Sequence, residues 1–173
     1  MSQTPEHVHL ARPTERMPAP AATGPLCVFA SLPSPEELAP LMLDSYRGTP
    51  DDEGETLEET VEVVRSAMEG VFGVWMPEAS FVALGEDGRA WGAVITAREE
   101  DGVPFIAFLF VHPDQCGRGV ASGLVAHTCR VLADCGHPTV RLWVSGANGR
   151  AVRLYRHLGF VEVTDTPQEP DLT

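Results

Sequence analysis

FIAFLFVHPDQCGRGVA, residues 105–121, is the stretch on which the reading of the fold turns. With the two residues before it, the stretch contains Val103–Val111, a near-continuous apolar run with the pattern of a strand buried on both faces. It leads through Pro113 into a loop with Gly117 and Gly119, and a helix of about 120–135 starts at once, ending at Gly136. Successive backbone N–H groups in such a loop, with the positive end of the helix dipole behind them, make an anion site that needs no lysine. Glycines let the main chain come close to a phosphate. Two other phosphate motifs are excluded. A Walker loop needs Gly-Lys-Ser/Thr, and this chain has no Lys. A dinucleotide fingerprint wants Gly or Ala where Ser122 stands, and an acid at the end of the next strand, where Val144 and Ser145 stand.

Working outward, Leu26–Leu32 reads as a first strand. Ser34-Pro35-Glu36-Glu37 is a capping box that opens a helix through about Tyr46, and Thr56 with Glu59 opens a second one. In that second helix Leu57, Val61, Val64, Met68 and Val71 recur at helical spacing. Ser80–Leu84 and Ala90–Arg98 flank the hairpin signal Asp87-Gly88, and Asp101-Gly102 turns the chain into the apolar strand. Thr139–Val144 follows as a strand, about 148–158 as a helix closed by Gly159, and Phe160–Thr164 as a short last strand. The order is β-α-α-β-β-β-α-β-α-β, an α/β domain with a mixed central sheet. Residues 1–25 hold five prolines and read as a poorly ordered N-terminal arm. Residues 26–165 form the single domain, and 166–173 a C-terminal tail.

A second stretch, RLWVSGANGRAVRLYRHLGFVEV (141–163), joins the first to suggest a family. The chain resembles the GNAT superfamily of acyl-CoA-dependent N-acyltransferases. The resemblance rests on Val111-His112-Pro113 at the strand end and on Cys116-Gly117-Arg118-Gly119-Val120-Ala121 in the loop. Asn148, Ala151, Leu154, Tyr155, Gly159 and Phe160 then carry the pattern after the next strand. It implies a fold in which the cofactor strand bulges and splays from its neighbour, so that the acyl group enters the gap. It also implies that Gly117, Arg118, Gly119, Val120, Ala121 and Ser122 cradle the CoA pyrophosphate. Val111 would pair its backbone with the pantetheine arm and offer its N–H to the carbonyl oxygen. Asn148 would hydrogen-bond the cofactor, and Tyr155 would protonate the departing thiolate. The implied reaction is direct attack by an amine on acetyl-CoA in a ternary complex.

Three positions depart from the pattern. Cys116 replaces the usual Arg or Gln, Phe105 stands where some relatives place a glutamate base, and little chain remains for a final strand, which is short or missing. Each candidate also has a plainer reading. Tyr155 between Val152 and Leu158 also suits a packed core tyrosine, and Asn148 also suits a helix cap. Arg118 suits either a phosphate contact or a solvated position. Arg150, Arg153 and Arg156 read as a solvated face, His112 as a strand end, and His127 and His157 as surface positions. Cys116 sits beside a helix N-terminus, where thiols become reactive. A non-catalytic acyl-CoA-binding sensor or docking module, favoured by Phe105 and opposed by Tyr155, is the competing reading. Acyl hydrolysis or transfer to alcohols is a weaker third.

Charge divides the chain. Twelve Arg stand against 25 Asp and Glu, net −13, which argues against a nucleic-acid partner, and none is expected. Residues 1–103 hold 6 Arg and 19 acids, whereas 104–173 hold 6 of each. The acids are densest at Asp51-Asp52-Glu53-Gly54-Glu55, a loop that the resemblance implies lies on the acceptor side, so Asp52 and Glu53 are expected to meet a cationic small-molecule or peptide amine, unless the loop is merely a solvated surface. The seven-residue apolar run Phe105–Val111 is far below the ~20 needed to span a membrane. The N-terminus lacks a secretory pattern, and no cysteine or histidine spacing suggests a metal. A cytoplasmic protein is expected, with a homodimer left open. Abundant Ala, Gly, Pro and Val beside Arg in place of Lys fit a GC-rich bacterial genome.

Overall fold

A computed structural model describes residues 7–14 and 27–163. The elements run β1 (His7–Pro13), β2 (Val28–Ser31), α1 (Pro35–Tyr46), α2 (Leu57–Met68), β3 (Val74–Trp75), β4 (Phe81–Leu84) and β5 (Ala90–Arg98). They continue with β6 (Pro104–Val111), α3 (Val120–Asp134), β7 (Thr139–Ser145), α4 (Gly149–His157) and β8 (Val161–Glu162). The expected mixed α/β domain forms. Its single sheet has the order β2-β4-β5-β6-β7-β1-β8, with β3 paired to β5. All neighbours are antiparallel except β6 and β7.

Both helices start at the expected caps, the first with the Ser34 bond alone and the second with the full capping box. Ser34 accepts from the Glu37 amide with Pro35 opening α1, and Thr56 and Glu59 exchange both bonds of the capping box at α2. One sheet face carries α3 and α4 over Leu10, Val94, Ile106, Val140 and Leu142. The other carries α1 and α2 over Ala93, Ile95 and Phe110. The chain's most apolar strand, β6, thus lies between the two layers, as its composition required. Of the helically spaced residues, Val64 is buried in α2 and Leu57 faces solvent at its start, while Val71 is exposed beyond its end. His127, expected at the surface, is half-buried instead, between the rings of Phe29 and Phe81 at 4.8 and 4.3 Å.

The N-terminal segment requires a correction. His7–Pro13, read as part of an arm, is a strand inside the sheet, paired over seven positions with β7 and over two with β8. The rest of the expected arm and tail lies outside the described residues. Proline density concealed a period-2 pattern in which Val8, Leu10 and Arg12 share the core face, opposite Val144, Leu142 and Val140. The last strand, β8, is short as expected, and β1 fills the sheet position between it and β7.

His9 on the other face of β1 stacks on Trp143 with centroids 4.6 Å apart. Neither of its ring nitrogens has a hydrogen-bond partner among the described residues. Burial, reinforced by the Arg141 guanidinium, holds its pKa below the usual histidine value; Arg141 is itself paired with Glu99 and Asp101. The unfolded chain therefore binds this proton first, near pH 6.5, and stability falls as pH drops below that value. We expect His9→Phe to weaken this loss, by up to about 1.4 kcal/mol per pH unit of acidification. Urea midpoints at pH 7.5 and 5.5 measure it; an unchanged difference between them would mean His9 titrates as it does in the unfolded chain.

Candidate functional site

β6 pairs with β7 only through Phe105↔Arg141 and Ile106↔Leu142. Beyond Ile106 the two strands part, and the β5–β6 register shifts between Ile95 and Thr96. This bulge and splay open the expected gap. The ladder shows which backbone groups face it. His112 N–H donates to Trp91 O at 2.8 Å, so His112 and Trp91 form a hydrogen-bonded pair, and the adjacent pair Val111↔Gly92 is the non-bonded kind. The Val111 N–H therefore turns away from β5, toward the gap. Val111 is the residue the sequence proposed for that role. Phe105 is 1% exposed and packs edge-on against Trp143, so this position supplies no carboxylate.

From Val111 the chain makes a 3-10 turn over Pro113–Gln115 and reaches Gly117 and Gly119, with φ of 78° and 82°. These left-handed values are why glycine stands at both positions. A Cβ at either would meet nothing within 4 Å, so the loop faces open space. Gly119 is the N-cap of α3 and has no side-chain oxygen to satisfy the first amides, and the first turn holds no acid. Three features coincide: unsatisfied N–H groups of Val120, Ala121 and Ser122, the helix dipole, and room above them. This is a cradle fitted to an anion. Arg118 is exposed beside it, and the Cys116 thiol lies 3.9 Å from Val111 O. Arg150, Arg153 and Arg156 line the exposed side of α4.

Asn148 and Tyr155 come from the segment after β7. Asn148 caps α4, its Oδ1 accepting from Ala151 N at 3.1 Å. Its Nδ2 donates to Asp51 Oδ2 at 2.6 Å, across 97 residues of chain. The two contacts agree on which end of the amide is nitrogen. Tyr155 is 9% exposed and packs against Phe160, with centroids 5.7 Å apart. Burial, and then the Asp51 charge, push its pKa well above the ordinary phenol value. Tyr46, at the end of α1, packs its ring on Phe110 of β6. Burial raises its phenol too, followed by the charges of Tyr155, Asp51 and Glu55. Tyr155 is thus both a core residue and a neighbour of the acidic loop.

Within that loop the carboxylates differ. Asp52 accepts from Gly48 N and Gly54 N at 2.7 and 3.0 Å, which hold its pKa below the usual carboxylate range. Glu53 is exposed. Asp51 is the one bonded to Asn148, and its charge acts on both tyrosines; sequence reasoning missed it, as it missed Tyr46. Charge density located the loop; which side chain turns inward depends on α4. Among the described residues no group of three His, Cys, Asp or Glu could hold a metal ion. No described helix is long and apolar enough to cross a membrane.

The model of the Acetyltransferase (GNAT) family matches residues 45–160. A mycothiol acetyltransferase of Acidimicrobium ferrooxidans is 33% identical over 91 residues, which cover 50% of this chain and 29% of that protein. The chain therefore spans well under two thirds of that relative. The crystal structure of a GCN5-related N-acetyltransferase from Sphaerobacter thermophilus superposes with a TM-score of 0.68 at 22% identity, covering 91% of this chain and 48% of that one. The aminoglycoside N-acetyltransferase AAC(6')-Iy in complex with CoA gives a TM-score of 0.58 at 22% identity, covering 85% of this chain and 95% of that one.

Proposed function

The chain belongs to the acetyltransferase (GNAT) family, and from that premise we propose that it transfers the acetyl group of acetyl-CoA to an amine by direct attack. The observation that carries this reading is the uncapped start of α3 behind Gly117 and Gly119, at the end of the strand that splays from β7. Acetyl-CoA supplies the activated thioester. The amides of residues 117–122 hold the pyrophosphate, and the gap-facing backbone of Val111 holds the pantetheine arm and the carbonyl oxygen. Tyr155, kept protonated by its surroundings, faces the departing sulfur as a proton donor. Asn148 has one amide hydrogen left for the cofactor. The relative solved with CoA supports the choice of acyl carrier.

The bond from Asn148 to Asp51 and the Asp51 charge felt by Tyr155 support a cationic acceptor that meets negative charge as it arrives. Asp51, fixed by Asn148, is the nearest carboxylate for an ammonium, with Asp52 and Glu53 contributing field at the mouth. We expect acceptor KM to rise with ionic strength, because salt screens this attraction. Asp51→Asn, or Asp52→Asn with Glu53→Gln, should raise KM several-fold and flatten that dependence. A neutral or anionic preferred acceptor would leave the loop as solvated surface only.

The direct test is thiol release from acetyl-CoA across a panel of polyamines, amino sugars and basic peptides. A thermal shift accompanies it: CoA at ~100 Kd should stabilise the fold by about 2.7 kcal/mol, with NAD and ATP far behind. CoA stabilisation without thiol release on any amine would support an acyl-CoA sensor instead. Equal shifts from NAD would remove the assignment of the loop.

A further inference from the structure

We infer that β1 is a working part of the acyl-transfer site, with Arg12 as a positioning residue that clamps the end of α4 and so holds Tyr155 in place. The inference rests on the role given to Tyr155 above. α4 ends in a left-handed turn at Gly159, φ 88°. Phe160 N–H donates to Tyr155 O at 3.0 Å and Gly159 N–H to Arg156 O at 3.1 Å, the paired bonds of a Schellman ending. The hydrophobic contact that accompanies such an ending is here the Tyr155–Phe160 ring pair. The ring of Tyr155 is therefore set by the geometry of the helix end.

These bonds leave the Leu158 carbonyl without a backbone donor, and Arg12 supplies one through Nη1. Its Nε donates to Pro13 O at 2.8 Å, and its Cζ lies 5.9 Å from the Phe160 centroid. A Cβ on Gly159 would come within 3.4 Å of Nη1, so the guanidinium lies directly on the turn. Arg12 is 8% exposed and pairs with no carboxylate among the described residues. Burying a cation is costly; this one sits at the negative end of a helix dipole and shares its protons with carbonyls. The other charges of that helix end, Arg156 with Glu162, lie outside on the exposed surface.

The backbone reinforces the clamp. β7 and β8 flank α4 in the chain, and β1 lies between them, bonded to both, with Val163 N–H donating to His9 O at 3.0 Å. Seven residues from the N-terminal side thus bind both ends of the unit that carries Tyr155. Arg12 is buried on the α4 face of β1, far in sequence from any motif.

The test compares Arg12→Met, which keeps the apolar stem, with Arg12→Gln, which keeps a donor for Leu158 O. Hydrogen exchange of the Gly159 and Phe160 amides, kcat, amine KM and CoA affinity are read for each. For Arg12→Met we expect faster exchange at both amides and a kcat about tenfold lower, with CoA affinity changed less than threefold; Arg12→Gln should fall between. In a Tyr155→Phe background Arg12→Met should cost little more. Wild-type exchange and kcat in folded Arg12→Met would overturn the clamp. If Arg12→Met does not fold, Arg12→Gln decides by the same two readings. A silent Tyr155→Phe would refute the role of Tyr155 as acid, while exchange at Gly159 and Phe160 would still decide whether Arg12 holds the helix end.

Discussion

Tyr155→Phe is expected to lower kcat about 100-fold, roughly 2.7 kcal/mol of barrier, with little change in CoA affinity. The substitution keeps the ring on Phe160 and deletes only the hydroxyl, so stability should change little. The low end of the range for a general acid follows from the environment. Burial and the Asp51 charge keep the phenol protonated, but they also make it slow to give the proton up. Transfer must then accompany departure of the sulfur rather than precede it. A thiolate is a tolerable leaving group even without help, which limits the loss. The same shift fixes a pH signature: with its pKa above that of a free phenol, Tyr155 should impose no alkaline fall in kcat below pH ~10. Steady-state kinetics over pH 7–10 check both statements. Unchanged kcat in Tyr155→Phe would reduce Tyr155 to a core residue.

Gly119→Glu is expected to reduce CoA affinity at least 100-fold, about 2.7 kcal/mol. The new side chain would project into the open space above the loop, placing a carboxylate where the pyrophosphate is to lie. Any L-residue at φ 82° also costs backbone energy, about 1–2 kcal/mol. Gly119→Ala pays that conformational term without the charge and separates the two effects. We expect Gly119→Ala to lose some stability and up to about tenfold in affinity, and Gly119→Glu to lose binding altogether at comparable stability. Calorimetric titration with CoA and a thermal melt decide it. Retained affinity in a folded Gly119→Glu variant would place the anion site elsewhere.

Much of the site was legible because its parts are local. Gly117 and Gly119 follow an apolar strand and precede a helix within a few residues, so the anion cradle is written in consecutive positions. The caps at Ser34 and Thr56 are likewise made by residues three apart. Tyr155 and Asn148 could be ranked only through resemblance, because on α4 a core tyrosine and a catalytic one have the same spacing. The bond between Asn148 and Asp51, and the charge Asp51 brings to bear on Tyr155, had no sequence signal. The loop 51–55 presents several acids, and only the approach of α4 selects among them.

The same contrast of range separates what the sequence determined alone from what the tertiary structure decided. Periodicity, caps and glycine placement act between residues a turn or a strand step apart, so they specified every element but β1 and the two-residue β3, their order, and the glycine loop before α3. The pattern of Val8, Leu10 and Arg12 was equally local, and proline density obscured it. No feature of that segment said where it would pair. Its partners are β7 and β8, about 130 to 150 residues onward, and the pairing depends on a sheet edge that exists only once the rest of the chain has folded. That long-range pairing put a buried Arg12 at the end of α4 and completed the wall behind Tyr155.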